Sequence, residues 1–133
     1  ALSSAASDVY KRQGDDWVVT DFFAPGQQVR VQLKLVVSRD LEYVTLTDNR
    51  PAALEPVTQM PSFLWAQGLG YYRVPSDTQT TFYISYLPAG TYMITYDATA
   101  AISGSFAAGP VTVQSQYAPE INARSSSFRI TVN

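Results

Sequence analysis

Along much of the chain, apolar and polar residues change places at every step. In QQVRVQLKLVVS, Val29, Val31, Leu33, Leu35 and Val37 alternate with Arg30, Gln32 and Lys34. A period of two puts every apolar side chain on one face of an extended strand, whereas a helix would scatter them around its circumference. The same alternation predicts inward positions at Val44 and Leu46 in LEYVTLTD, at Phe82, Ile84 and Tyr86 in TTFYISYL, and at Tyr92, Ile94 and Tyr96 in TYMITYDA. It continues with Val111 and Val113 in PVTVQSQY and with Phe128, Ile130 and Val132 in SFRITV. With a short strand around DWVVTDF, the pattern predicts about seven strands, and no segment carries a convincing helical period.

Turn chemistry separates these runs. Leu87-Pro88-Ala89-Gly90 predicts a tight turn, with proline presetting one dihedral and glycine free to take positive φ. Ser103-Gly104 and Gly109-Pro110 bracket a further connection. Short strands at this density predict an all-β fold, an antiparallel immunoglobulin-like β-sandwich, because one flat sheet would expose a greasy face and two long edges. The longest connection, from Asn49 to about Thr78, is rich in Pro, Gly and aromatics and reads as a functional or docking loop.

The first thirteen residues, ALSSAASDVYKRQ, stand apart because they show neither period. DVYKRQ is also the translation of GATGTGTATAAGAGACAG, the end of a transposon adapter used in sequencing libraries. Residues 1–13 are therefore read as adapter read-through or an unstructured segment, residues 14–133 as a single domain, and the reading frame as starting inside a gene. A native Ser/Ala-rich linker is the alternative. Leaving out Asp8, Lys11 and Arg12 changes 9 basic and 11 acidic residues into 7 and 10, a net charge of −3.

Composition limits what such a sandwich can do. The chain has 133 residues, 46% of them apolar and 15% charged, enough to build a core. A net charge of −2 without a basic run offers nothing to nucleic acid or an anionic membrane surface, and no apolar stretch approaches the roughly 20 residues of a membrane span. With no Cys and no His there is no disulfide, no thiol nucleophile and no thiolate or imidazole metal ligand, and neither a cofactor nor a metal is expected. Asp40, Glu42 and Asp48 surround one strand but lack the dense oxygen spacing of a calcium loop, and they read as a solvated strand face. Lys34 has no Ser-x-x-Lys partner, and Glu42 and Asp97 make no carboxylate pair at readable spacing. An enzyme is not expected.

Two aromatic features remain. Phe63, Trp65, Tyr71 and Tyr72 in FLWAQGLGYY could form a stacking platform for a sugar or peptide, but a cap on the open end of the sandwich or a contact with a neighbouring domain is favoured. In QSQYAPEINARS, Tyr117 ends an alternating run just before the strand-stopping pair Pro119 and Glu120. It is either a core or turn tyrosine, or a ring that covers part of another domain.

Several irregular blocks occur in a fixed order: Arg50-Pro51-Ala52 with Leu54-Glu55-Pro56, Tyr72 before Asp77, Leu87-Pro88-x-Gly90-Thr91-Tyr92, and Tyr117-Ala118-Pro119-Glu120. From about Gly26 to Val132 the chain resembles the C-terminal macroglobulin-like domain of bacterial alpha-2-macroglobulins, most closely in the style of the Bacteroidota branch. The resemblance implies a non-catalytic domain that closes a large protease-trapping protein of the cell envelope, periplasmic or anchored through a region N-terminal to this chain. Its partners would be the other domains of that chain, above all a thioester-type domain, with proteases trapped by the whole protein and no direct membrane insertion. Trp65, Tyr71 and Tyr72 become candidate interface aromatics. Tyr117 becomes the candidate shield of a thioester, beside Gln116, where the family pattern often has Met. An adhesion module of fibronectin type and a carbohydrate-binding module are the alternative readings.

Overall fold

The computed structural model describes residues 3–118 and 122–133. Pro119 and Glu120, which complete the YAPE block, lie outside the described residues. Fourteen strands and no helix are found among the described residues. A five-stranded sheet has the order β2 (Asp16–Val19), β1 (Ser3–Gln13), β4 (Gln28–Val37), β10 (Gly90–Ala100), β6 (Leu54–Pro56). A six-stranded sheet has the order β13 (Asn122–Arg124), β12 (Val111–Ser115), β5 (Leu41–Asp48), β9 (Thr80–Leu87), β8 (Leu69–Pro75), β7 (Ser62–Ala66). A third sheet joins β11 (Gly104–Ala108), β14 (Phe128–Val132) and β3 (Phe22–Phe23), the last pair parallel and the rest of the fold antiparallel.

The predicted period-2 faces make the core. Val29, Val31, Leu33, Leu35 and Val37 from β4 and Tyr92, Ile94 and Tyr96 from β10 are buried. They share one cluster with Val44, Leu46, Phe82, Ile84, Val111 and Val113 from the six-stranded sheet and with Phe23, Ile130 and Val132 from the third. Each such side chain contributes about 1.5–3 kcal/mol on burial, so the strict alternation of β4 and β10 adds substantially to cohesion.

The strands depart from the sequence reading at four places. Residues 3–13 do not stand outside the fold: Ser3–Gln13 is a strand inside the five-stranded sheet, paired with β4 from Ser3↔Val37 to Lys11↔Val29 and with β2. Its inward register is Ala5, Ser7 and Val9, and only Val9 is apolar and large enough to signal a buried face. The long connection after Asn49 is likewise not a loop, since it holds β6 and the β7–β8 hairpin. That hairpin turns on Gln67 and Gly68, with φ of 56° and 74°, the positive pair that a two-residue turn of matching twist demands. The segment between Gly104 and Gly109 is the strand β11. These elements, together with the two- and three-residue strands β3 and β13, raise the strand count well above seven.

Tyr86 is the fourth departure, exposed where the alternation placed it inward. Its partner across the β5–β9 ladder is Glu42, and the next residue, Tyr43, has a φ of 52° in the left-handed region. Twisting the backbone there slips the phase of both strands by one step, so Glu42, Tyr43, Ser85 and Tyr86 all face outward between the buried Leu41 and Val44, and Ile84 and Leu87. Asp40 holds the slipped segment, accepting the Ala89 N–H at 2.8 Å and the Tyr86 hydroxyl at 3.1 Å. The predicted turn at Pro88-Ala89 is present, and the Tyr92 hydroxyl closes it by donating to the Pro88 carbonyl at 2.7 Å.

A buried polar network crosses the core. The Tyr96 hydroxyl on β10 donates to Asp48 Oδ2 at the end of β5. Arg50, also buried, donates from Nε to the Leu54 carbonyl at 3.2 Å, from Nη1 to Thr80 Oγ1 at 2.7 Å, and from Nη2 to the Ser76 carbonyl. Asp48 is therefore not part of a solvated strand face. Burial pushes its carboxyl above the usual carboxylate range, against the opposing pull of the Tyr96 hydrogen bond and the Arg50 charge. Burial and the neighbouring Asp48 also push the Tyr96 phenol well up.

Because the folded pKa of Asp48 lies above its unfolded value, this carboxyl stabilises the fold below the unfolded pKa of about 3.9 and loses that contribution as pH rises through the folded one. Asp48→Asn keeps an acceptor for Tyr96 and cannot ionise. In urea titrations, wild type is expected to lose stability relative to Asp48→Asn as pH rises from about 4; wild type gaining stability relative to the variant as pH rises contradicts the account. The left-handed site gives a second expectation, since Asn tolerates that conformation and a β-branched residue does not. Tyr43→Val should unfold about 1–2 kcal/mol more easily than Tyr43→Asn, the reverse of ordinary strand preference. Equal stabilities would remove the strain.

Candidate functional site

The outer face of the six-stranded sheet carries the exposed aromatics. The register Phe63↔Tyr72 and Tyr72↔Tyr83 sets three rings in one row across β7, β8 and β9, and Trp65, two residues along from Phe63, lies in the next row opposite Gly70. Trp65 is 76% exposed, and the other three are about half exposed. Phe63 meets Trp65 edge-on at 5.5 Å and 75°, and Tyr72 at 5.0 Å and 72°. Gly70 lets both rings of β7 lie down on the sheet: a Cβ at that position would stand 2.9 Å from Phe63 Cζ and 3.0 Å from the Trp65 ring. The rings are thus covering a glycine while keeping their other faces in water.

Tyr71 does not belong to this surface. It is 3% exposed and packs against Phe82 at 5.8 Å, and burial raises its phenol pKa. Neighbouring residues of a strand point to opposite faces, so Tyr71 and Tyr72 could never have been displayed together. The sugar platform built on Trp65, Tyr71 and Tyr72 fails for that reason, and the steep angles at Phe63 leave no coplanar set.

Tyr117 occupies the other corner of the face. It is 69% exposed, which removes the reading as a core tyrosine. Its ring stands edge-on to Tyr43 at 5.4 Å and 81°. Gln116, also exposed, donates its N–H to the Tyr43 carbonyl at 3.1 Å, and the Ser115 hydroxyl donates to the Glu42 carbonyl at 3.1 Å. The left-handed turn at Tyr43 therefore both points its own ring outward and receives the end of β12, so that Tyr117 is presented on a hydrogen-bonded base. A shallow cleft of about 190 Å³, lined by Tyr43, Thr45, Tyr83, Ser85 and Gln116 among others, joins this corner to the aromatic row.

Tyr43 and Tyr83 were legible in part. Both sit in the outward register of strands whose inward residues were predicted, Val44 and Leu46 for one, Phe82 and Ile84 for the other. An aromatic in a polar register was the signal that could have found them. The carboxylates considered for a cation serve three separate places: Asp40 braces the Pro88-Ala89 turn, Asp48 lies in the core, and Glu42 is at the surface.

The family model described as Bacterial Alpha-2-macroglobulin MG10 domain matches residues 7–120. Escherichia coli alpha-2-macroglobulin activated by porcine elastase superposes with a TM-score of 0.83 at 18% identity, over 100% of this chain and 13% of that one. Salmonella alpha-2-macroglobulin reacted with methylamine gives 0.80 at 18% identity, over 100% of this chain and 9% of that one. A non-cellulosomal cohesin from the hyperthermophilic archaeon Archaeoglobus fulgidus gives 0.63 at 13% identity, over 100% of this chain and 92% of that one. At such identities the superpositions show a shared fold and nothing finer. No curated protein matches the sequence. This chain thus corresponds to a small part of the alpha-2-macroglobulin chains it superposes on. Since the family match runs from within β1 to the YAPE block, the chain belongs to the bacterial alpha-2-macroglobulin MG10 domain family.

Proposed function

We propose that this domain is a non-catalytic interaction module of a larger, protease-trapping protein of the bacterial cell envelope. Its outer aromatic face docks on other domains of the same chain, and Tyr117 covers a thioester held by one of them. The observation that carries this reading is the exposure of Tyr117 on a fixed base. A ring of that size left 69% in water and held edge-on by Tyr43 is poised to bury its free face against something else. The row of Phe63, Trp65, Tyr72 and Tyr83 supplies the apolar, rigid area that anchors a domain contact.

A thioester is consumed by amines, and more slowly by hydroxide, that reach its carbonyl. An aromatic ring laid over the bond does this by steric exclusion and low local polarity, and it needs no acid or base of its own. Gln116 beside it is polar, so the cover is apolar on the Tyr117 side and hydrated on the other. Family membership supports the multidomain setting, and a periplasmic or membrane-anchored location follows from that setting. Among the described residues, no helix is long and apolar enough to cross a membrane.

The test uses the intact parent protein with methylamine as the attacking nucleophile. Tyr117→Ala is expected to be inactivated roughly tenfold faster than wild type, equivalent to about 1.4 kcal/mol of lost protection. Gln116→Met is expected to be inactivated more slowly. An unchanged rate in Tyr117→Ala overturns the shielding role.

A further inference from the structure

A cleft of about 270 Å³ opens where β10 runs on past the end of β6, and Arg30, Thr58, Arg73, Thr80, Thr95 and Asp97 contribute to its lining. The arginines there are not equivalent. Arg30 is committed: its Nε and Nη2 donate to the two carboxylate oxygens of Asp97 at 2.8 and 3.2 Å, and its Cζ lies 4.2 Å from the centre of the Trp17 ring. Arg73 stands in the inward register of β8, opposite Phe82, and its Nε is enclosed with no acceptor among the described residues. Arg30 and Asp97 cancel in charge, so Arg73 leaves the cleft with one positive charge and one enclosed, unused N–H. A carboxylate entering the cleft meets that charge with charge-assisted hydrogen bonds.

The backbone beside the cleft is also open. The ladder between β10 and β6 ends at Ala98↔Pro56, and the Val57 N–H adds one last bond to the Asp97 carbonyl at 3.0 Å. At Met93 the outward N–H meets only the Gln67 side chain, at 3.4 Å. By the two-residue period, the peptide groups of Thr95 face the same edge, and no strand among the described residues is paired there.

We propose that this cleft is a carboxylate-binding site, in which an acidic side chain of an extended segment lying along the open edge of β10 pairs with the Arg73 guanidinium. The edge supplies main-chain pairing and the cleft reads the side chain, so the preferred partner is a strand with one Asp or Glu facing inward. A free small carboxylate carries the same chemistry without the strand.

The experiment follows the Arg73 Nε–H and the Thr95 amide by NMR in the 133-residue chain at about pH 6.5, where a carboxylate is ionised. The probes are a capped, extended peptide with one central Glu, the same peptide with Gln, and acetate at constant ionic strength. The expected result is a saturable shift at both nuclei with the Glu peptide, at least about tenfold tighter than with the Gln peptide. Arg73→Gln should abolish the response, and Arg73→Lys stands in if that variant does not fold. Acetate matching the Glu peptide, with the Thr95 amide unmoved, keeps the carboxylate site and assigns it to a free ligand. No saturable response to either carboxylate, or equal binding of the Glu and Gln peptides, overturns the proposal.

Discussion

The guanidinium of Arg50 is enclosed in the protein and spends its donors on groups far apart in sequence. It holds the Leu54 carbonyl at the start of β6, the Ser76 carbonyl after β8 and the Thr80 hydroxyl at the start of β9. Both ends of the excursion that leaves the sandwich after Asn49 are thus tied to one side chain. That excursion contains the β7–β8 hairpin, which widens the six-stranded sheet and carries Phe63, Trp65 and Tyr72. Burying a cation is costly unless its hydrogen bonds are met, and here the bonds that meet it are also those that place the hairpin. Asp48 and Tyr96 lie in the same network, linking the hairpin's anchor to the centre of both sheets.

From that anchor the molecule divides its work between two faces. The inner faces are aliphatic and closely alternating, and they account for cohesion. The outer face of the six-stranded sheet keeps aromatic rings in water at two corners, each held by a local device. At one corner Gly70 lets Phe63 and Trp65 lie flat, and at the other the left-handed backbone of Tyr43 turns a ring out against Tyr117. Rings fixed in this way lose little further freedom on contact, which suits the docking role proposed for this face.

Much of this was legible in the residue pattern, and the exceptions have physical causes. The inward registers of β4, β10 and β12 followed directly from alternation, and the order of irregular blocks pointed to the macroglobulin family before any geometry. Strand β1 was hidden because Ala5 and Ser7 are too small to mark a buried face, so its place depends on main-chain pairing with β4. β6 and the β7–β8 hairpin were hidden by proline and glycine, which mark turns in one context and here sit within or beside strands. Tyr86 went astray because one residue at positive φ shifts the phase of two strands, and no side-chain period reports a backbone angle. The partners of Arg50 depend on a fold already formed, so nothing local announces them.

The central claim is that the outer face of the six-stranded sheet is a docking surface. Hydroxyl-radical footprinting compares this 133-residue chain with the parent protein that contains it. Trp65, Tyr72 and Tyr117 are expected to be readily oxidised in the separate chain and largely protected in the parent, while Tyr71 and Tyr96 stay unreactive in both. If Trp65, Tyr72 and Tyr117 are oxidised equally in the two, the face is not covered and the account is wrong.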